Sequence, residues 1–380
     1  MKIRPKTMRE VVNRKLSFLM IATVFSTLPN TVLKAQDLEN IGKKDQVKVT
    51  GNLNAGFNTY SASGAGNTMM PFQWTLGGNV NFNLYGVNLP FSVLISSRNK
   101  NFNLPFTRFG VSPYYKWAKA HLGWRGLNYN PYTLGGQQML GAGVELTPGK
   151  FNFGFMAGRL NNAVTDLSLY NNLNNTVPVF NRSGYAFKLG YGGQKANISL
   201  SFLNGEDKLN SANQQIKEQT NATAASNQAF GVHGQLKFLK YFTFKTDAGI
   251  SIYTRDIEAD SLDANDKIKN NFLVKTGLVP HTNFSTYLSR ALNSSIAYAD
   301  DKGFSLALQF LHVDPNYKSM GTFYMQTDVQ QYTLAPGFRF WKSKAFFTGS
   351  LGVQRNNLFK QNSSSSLRTI GMANLVLNPS

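Results

Sequence analysis

The chain has 380 residues and no cysteine, with 39 Lys and Arg against 19 Asp and Glu. The missing thiols exclude a disulfide-stapled scaffold and any Cys-ligated zinc, haem or iron–sulfur centre. The basic residues are spread along many segments rather than clustered, which argues against nucleic-acid binding.

Residues 1–35 read as a secretory signal. Lys2, Arg4, Lys6, Arg9, Arg14 and Lys15 form a basic head, followed by the apolar run "LSFLMIATVF" and a cleavage site after Ala35. Residues 36–45 form a short periplasmic segment, and residues 46–380 a single domain. That segment leaves no room for an N-terminal plug, which argues against a TonB-dependent transporter. After the signal, no apolar run approaches the ~20 residues of a transmembrane helix, which leaves strands as the only means of crossing a membrane.

The first strand signal is "VKVTGNLNAGFNTY". Val47, Val49, Leu53, Ala55 and Phe57 share one face, while Lys48, Thr50, Asn52, Asn54 and Asn58 share the other. "FQWTLGGNVNFNLY" repeats the pattern, with Phe72, Trp74, Leu76, Val80 and Phe82 against Gln73, Thr75, Asn79 and Asn81. Similar alternation follows in "QMLGAGVEL", "FNFGFMAG", "YAFKLGY", "ANISLSF", "FGVHGQLKF", "FTFKTDAGISIYT", "FSLALQF", "YTLAPGFRF" and "AFFTGSLGV". Weaker candidates near 89–98, 101–111, 116–126, 286–299 and 367–377 bring the expectation to about sixteen strands. A short helix is expected only within 205–227.

Connections alternate in length. Short ones fall at Gly86–Asn88, Pro148-Gly149, Gly192–Lys195, Leu239–Tyr241, Asp300–Gly303 and Trp341–Lys344; long polar ones fall at 161–181, 204–227, 256–285, 314–327 and 356–366. Short turns at one end and long loops at the other describe an all-β, transmembrane, antiparallel up-and-down β-barrel in the cell outer membrane, with turns in the periplasm and loops outside. The competing architecture is a two-sheet sandwich that buries the apolar faces. Trp74, Tyr85, Trp117, Trp124, Tyr191, Tyr241 and Trp341 gather at strand ends, as interfacial girdles require. The apolar faces are therefore expected to meet lipid. The ending "GMANLVLNPS" reads as a strand followed by a turn awaiting another strand, which leaves strand count and closure open.

"PFTRFGVSPYYKWAKAHLGW" and "NPYTLGGQQMLGAGVELTPGKFNFGFMAGRLNNAV" resemble a block found in outer-membrane β-barrel proteins of the Bacteroidota, and "HVDPNYKSMGTFYMQTDVQQYTL" resembles a second. The resemblance implies fold and location. It brings no substrate and no catalytic residues.

Under the alternation, the basic residues facing the lumen are Lys48, Lys119, Arg125, Lys188, Lys237, Lys245, Arg255 and Arg339, and the acids are Glu145 and Asp247. Rings of Lys and Arg favour anions in pores. The expected function is a porin-like passive channel for small anionic solutes. The alternative is a non-conducting barrel for surface attachment or for a secretion complex. Expected partners are outer-membrane lipid, lipopolysaccharide and the insertion machinery, with Arg159 and Arg290 facing outward near the extracellular ends. The segment between 98 and 137 is a candidate inward constriction. His233 and Asp247 are expected to sit opposite each other as a polar pair in the lumen. No G-x-S-x-G is present and no His spacing suits a metal, so neither an enzyme nor a cofactor is implied.

Overall fold

The computed structural model describes residues 47–60, 72–84, 86–97, 108–163, 179–262, 268–341, 344–361 and 363–378. The expected signal and periplasmic segment lie outside these residues, as does Tyr85. The strands, in chain order, are β1 (Val47–Thr59), β2 (Phe72–Leu84), β3 (Val87–Ser96), β4 (Arg108–Val111), β5 (Tyr114–Tyr115), β6 (Ala118–Asn128), β7 (Gly135–Leu146), β8 (Phe151–Asn161), β9 (Arg182–Gly192), β10 (Ala196–Asp207), β11 (Ser226–Phe238), β12 (Phe242–Thr254), β13 (Thr286–Ala299), β14 (Phe304–Val313), β15 (Val329–Phe340), β16 (Ala345–Arg355) and β17 (Leu367–Leu377).

Each strand pairs antiparallel with its neighbour in sequence, giving a single meander that curls into a barrel. β4 and β5 are two halves of one crossing, since both lie between β3 and β6. The break falls at Ser112-Pro113, where proline removes a ladder donor. The seventeen described strands thus make sixteen crossings.

The expected alternation of lengths is present. β11 and β12 are joined by three residues and stay in register from Phe238↔Phe242 to Ser226↔Thr254. At the other end, the β10–β11 connection carries helix α1 (Gln214–Thr220), capped by the Asn213 side chain, which accepts from the Gln215 and Ile216 amides. Ile216 packs with Val179, Phe180 and Ala224 in a small cluster of its own. A second short helix, α2 (Phe272–Lys275), lies in the β12–β13 connection.

Exposure decides between barrel and sandwich. On β10, Ile198 and Leu200 are 55% and 52% exposed, while the intervening Ser199 and Ser201 are 7% and 5% exposed. A sandwich would bury the leucine face; here the apolar side chains point out and the polar ones point in. The same inversion runs along β9, where Leu189 is 53% exposed, and β14, where Leu308 is 55% exposed. One of the expected girdle residues differs: Trp124 is only 9% exposed, whereas Trp117, at the turn between β5 and β6, is exposed and also borders an inner cavity.

One seam has no ladder. Among the described residues, β1 pairs only with β2, and β17 only with β16. Every residue of β1 is exposed, as is every residue of β17 except Ile370. The sixteen described crossings leave the two edge strands antiparallel.

The face assignment predicts that Leu200→Arg or Leu308→Arg destabilises the lipid-embedded protein by about 2–4 kcal/mol. Asn52→Arg, on the exposed inner side of β1, should change stability by no more than about 0.5 kcal/mol. Urea unfolding from lipid vesicles measures both.

Candidate functional site: the lumen

The lumen is built from a wall and two connections that turn inward. Residues 129–134, between β6 and β7, form the first. The Asn130 amide donates to the Val232 carbonyl at 3.2 Å, and the Thr133 hydroxyl donates to the Ser201 hydroxyl at 3.0 Å. Residues 314–328, between β14 and β15, form the second. The Tyr317 hydroxyl donates to the Tyr132 carbonyl at 2.8 Å, and the Ser319 hydroxyl to the Thr133 carbonyl at 2.6 Å. The Met320 amide donates to the Asn227 side chain at 2.9 Å, which anchors the second connection on β11. Tyr132 and Tyr317 meet edge to face, with ring centroids 5.8 Å apart.

The wall is bare where these connections lie. A Cβ on Gly231 would stand 2.9 Å from both Asn130 and Thr133. A Cβ on Gly249 would collide with Tyr132 and stand 2.7 Å from the Tyr317 hydroxyl. Burial pushes the Tyr132 hydroxyl up to about 12 and raises Tyr317 as well, so both hydroxyls stay neutral and Tyr317 keeps the proton that it donates. Leu134, Met139, Met156, Leu203 and Met320 complete an apolar cluster under the two connections. The expected constriction between 98 and 137 is therefore represented by 129–134, while 98–107 lies outside the described residues. Sequence reasoning treated 314–327 as an ordinary outer loop; the inward-facing glycines of β11 and β12 were the signal it did not use.

Filling one half of the lumen leaves space along the other. A cavity of about 670 Å³ lies towards the short turns, bounded by Asn52, Asn81, Tyr114, Trp117, Lys119 and Thr147. A second, of about 590 Å³, lies towards the long loops, bounded by Asn54, Thr75, Leu94, Arg108 and Gln138. Asn79, Ser92 and Arg125 border both.

The basic residues expected to face the lumen are not gathered in one ring. Lys119 and Arg125 border the cavities. Lys119 lies 3.8 Å from Glu145, and Arg125 donates through Nη1 to the Ser92 hydroxyl at 2.7 Å. Lys48 stands near the start of β1, opposite Asn83. Lys188 is opposite Gly154 and Ser201. Lys237 is opposite Thr243, and Lys245 lies between Gln235 and Ser295, on the far wall from the cavities. Arg255 follows β12 and borders a separate space with Phe284 and Asn316. The Arg339 guanidinium lies 5.6 Å from the Phe346 ring centroid.

Both acids that the sequence assigned to the lumen are tied to histidines, whereas Asp207 on β10 pairs with Arg182 at 2.8 Å. His233 Nδ1 is 2.9 Å from Asp247 Oδ1, in directly opposed positions of β11 and β12. The second arrangement escaped the sequence: Ser112 Oγ is 2.9 Å from His121 Nδ1, and His121 Nε2 is 2.9 Å from Glu145 Oε2. His121 is 2% exposed. The imidazole thus bridges the β4–β5 break to β7, with both ring nitrogens engaged. Only the β4–β5 break brings Ser112 against β6, and nothing in the local sequence marks that contact. Among the described residues, no group of three or more His, Cys, Asp or Glu is placed to hold a metal.

No family model matches the chain. No curated protein matches it either. Among solved structures, it is similar to an anion-selective porin from Comamonas acidovorans, with 11% identity, 87% of this chain and 97% of that chain covered, and a TM-score of 0.45. It is also similar to OccAB3 from Acinetobacter baumannii, at 8% identity, 87% and 87% coverage and a TM-score of 0.43. OmpF from Salmonella typhi matches at 11% identity, 87% and 97% coverage and a TM-score of 0.39. At scores this low the likenesses bear no weight, and the reading of the lumen rests on its own residues.

Gly249→Val should force Tyr132 and Tyr317 off the wall and destabilise the protein by about 1–3 kcal/mol. Gly234→Ala, where the nearest added contact is a Thr246 methyl at 3.3 Å, should be close to neutral. Urea unfolding of the two variants checks the packing of the inner connections.

Proposed function

We propose that the chain is an outer-membrane, porin-like passive channel whose lumen prefers small anions. The supporting observation is the division of the lumen: two inner connections fill one half, and two polar cavities that share Arg125 run along the other. The sequence alternation assigns eight basic residues to the lumen against two acids, Glu145 and Asp247, each of which is hydrogen-bonded to a histidine; Arg108 also borders a cavity, and Arg182 pairs with Asp207. The apolar outer face suits lipid, and the long polar loops suit the cell exterior. Residues 1–35 act as the export signal, and the insertion machinery of the outer membrane delivers the chain. The source is a member of the Bacteroidota, on the strength of the two sequence blocks. Outside the barrel, the Arg290 side chain is 71% exposed, although Asp314 lies 3.7 Å away. It and Arg159 are the candidates for lipopolysaccharide phosphates. The His233–Asp247 pair serves as a cross-strand tie, and the protein is not an enzyme.

A second reading is supported by the packed inner connections: a barrel that does not conduct and serves attachment or secretion through its loops. Reversal potentials in planar bilayers under a salt gradient separate the two. The channel reading predicts anion preference that weakens as salt rises, because the Debye length falls from about 10 Å at 0.1 M to about 3 Å at 1 M. Lys237→Glu with Lys245→Glu should reduce the preference. Cation preference in the wild type contradicts the lumen assignment. Folded protein that gives no single-channel steps supports the second reading.

A further inference from the structure

We propose that the β7–β8 and β9–β10 turns form a headgroup site for an anionic phospholipid of the inner leaflet, with Lys150 and Lys195 holding its phosphate. The inference goes beyond the channel reading. It rests only on the placement of the barrel in the outer membrane with its short turns at the periplasm.

Charge comes first. Lys116, Lys150, Lys195, Lys240, Lys302 and Lys344 stand exposed on six of the short turns. In the long connections the acids outnumber the bases, so the excess positive charge lies in the strands and short turns. Several of these lysines have other company. Lys240 Nζ is 3.0 Å from Asp301 Oδ2, Lys116 borders the inner cavity, and Lys302 shares its turn with Asp300 and Asp301. Lys150 and Lys195 make no ion pair among the described residues.

The two turns are adjacent on the rim. The Gly192 amide donates to the Lys150 carbonyl at 2.9 Å, which fastens the end of β9 to the first turn. Turns two strands apart lie about 10 Å from each other. Thr147, Pro148, Gly149, Gly193 and Gln194 complete them without an acid. A Cβ on Gly149 or Gly193 would meet nothing within 4 Å, so the tips stand in open space.

The wall beneath them points to a lipid rather than a soluble polyanion. Phe151 is opposite Tyr191, and Tyr191 is opposite Ile198, so one outward row crosses β8, β9 and β10. All three are exposed, and the Phe151 and Tyr191 rings meet edge to face with centroids 5.0 Å apart. The next position in the row is Gly234, where the wall falls away beside Ile198. Aromatic rings favour the membrane interface, and lysine stems lie along apolar surface while their ammonium groups reach the headgroups. A phosphodiester between Lys150 and Lys195 offsets two like charges. A zwitterionic headgroup would bring its own ammonium against them. Lipopolysaccharide lies in the other leaflet, beside the long loops.

The test is native mass spectrometry of the full chain in detergent. The protein is titrated with phosphatidylglycerol and, separately, with phosphatidylethanolamine of the same acyl chains. The expected result is that wild type binds phosphatidylglycerol about tenfold more tightly. Lys150→Gln with Lys195→Gln should abolish the preference, and Lys150→Arg with Lys195→Arg should keep it. Lys240→Gln, at a lysine already paired, should change it by no more than about twofold. Glycerol 3-phosphate should not displace the lipid. Heat-dependent gel mobility confirms that each variant is folded. Equal binding of the two lipids by folded wild type overturns the proposal. So does an equal loss in Lys240→Gln, which would mean diffuse rim charge, or displacement by glycerol 3-phosphate, which would make free phosphate the ligand. The readout does not depend on conductance. A barrel that gives no conductance yet prefers phosphatidylglycerol through these lysines refutes the channel alone; an anion-preferring channel with no lipid preference refutes the site alone.

Discussion

Backbone hydrogen bonding is the constraint on which this structure depends. In hydrocarbon, each unpaired amide or carbonyl costs several kcal/mol, and strands satisfy theirs only on their neighbours. The consequence is a meander in which every connection joins adjacent antiparallel strands. Once the ladder is set, the period of two assigns every side chain to lipid or to lumen. This is why Leu200 is exposed and Ser201 is buried, the reverse of a soluble core. The same constraint marks the seam between β1 and β17 as the place where the outer wall carries bare edges. β17 presents Ile370, Met372 and Val376 to the inside as well as Leu375 and Leu377 to the outside, so it is apolar on both faces.

The second determinant is the use of glycine as space. Gly231 and Gly249 leave the inner wall flat enough for Tyr132, Thr133 and Tyr317 to pack directly against the strands. The hydrogen bonds from Asn130, Thr133, Tyr317 and Ser319 then fix two connections that are far apart in sequence. Their packing makes the lumen asymmetric. The basic residues divide between the two sides: Lys237 and Lys245 face small polar groups, whereas Arg125 borders both cavities.

Much of the barrel was legible in the sequence because one physical rule, alternation, governs strands such as Val47–Thr59 and Phe242–Thr254. Turn length supplied the rest of the topology, and the Leu239–Tyr241 turn was enough to place His233 opposite Asp247. The lumen was less legible. Whether 314–328 turns outward or inward depends on contacts with Asn227 and Thr133, which lie more than ninety residues away. The Ser112–His121–Glu145 chain depends on a strand break, and the Arg125–Ser92 bond joins positions more than thirty residues apart. None of these is local, so no local pattern carries them.

The central claim is that apolar side chains of the wall face lipid while their alternate neighbours face a wet lumen. The chain has no cysteine, so single cysteines report position without background. The most direct measurement is the reaction of cysteines placed one at a time at residues 242–250 of β12, in lipid vesicles, with a charged, water-soluble thiol reagent. The account predicts a period of two, with positions 243 and 245 reactive and positions 242, 244 and 250 protected. Uniform reactivity, or protection of the odd positions with reaction at the even ones, would contradict it.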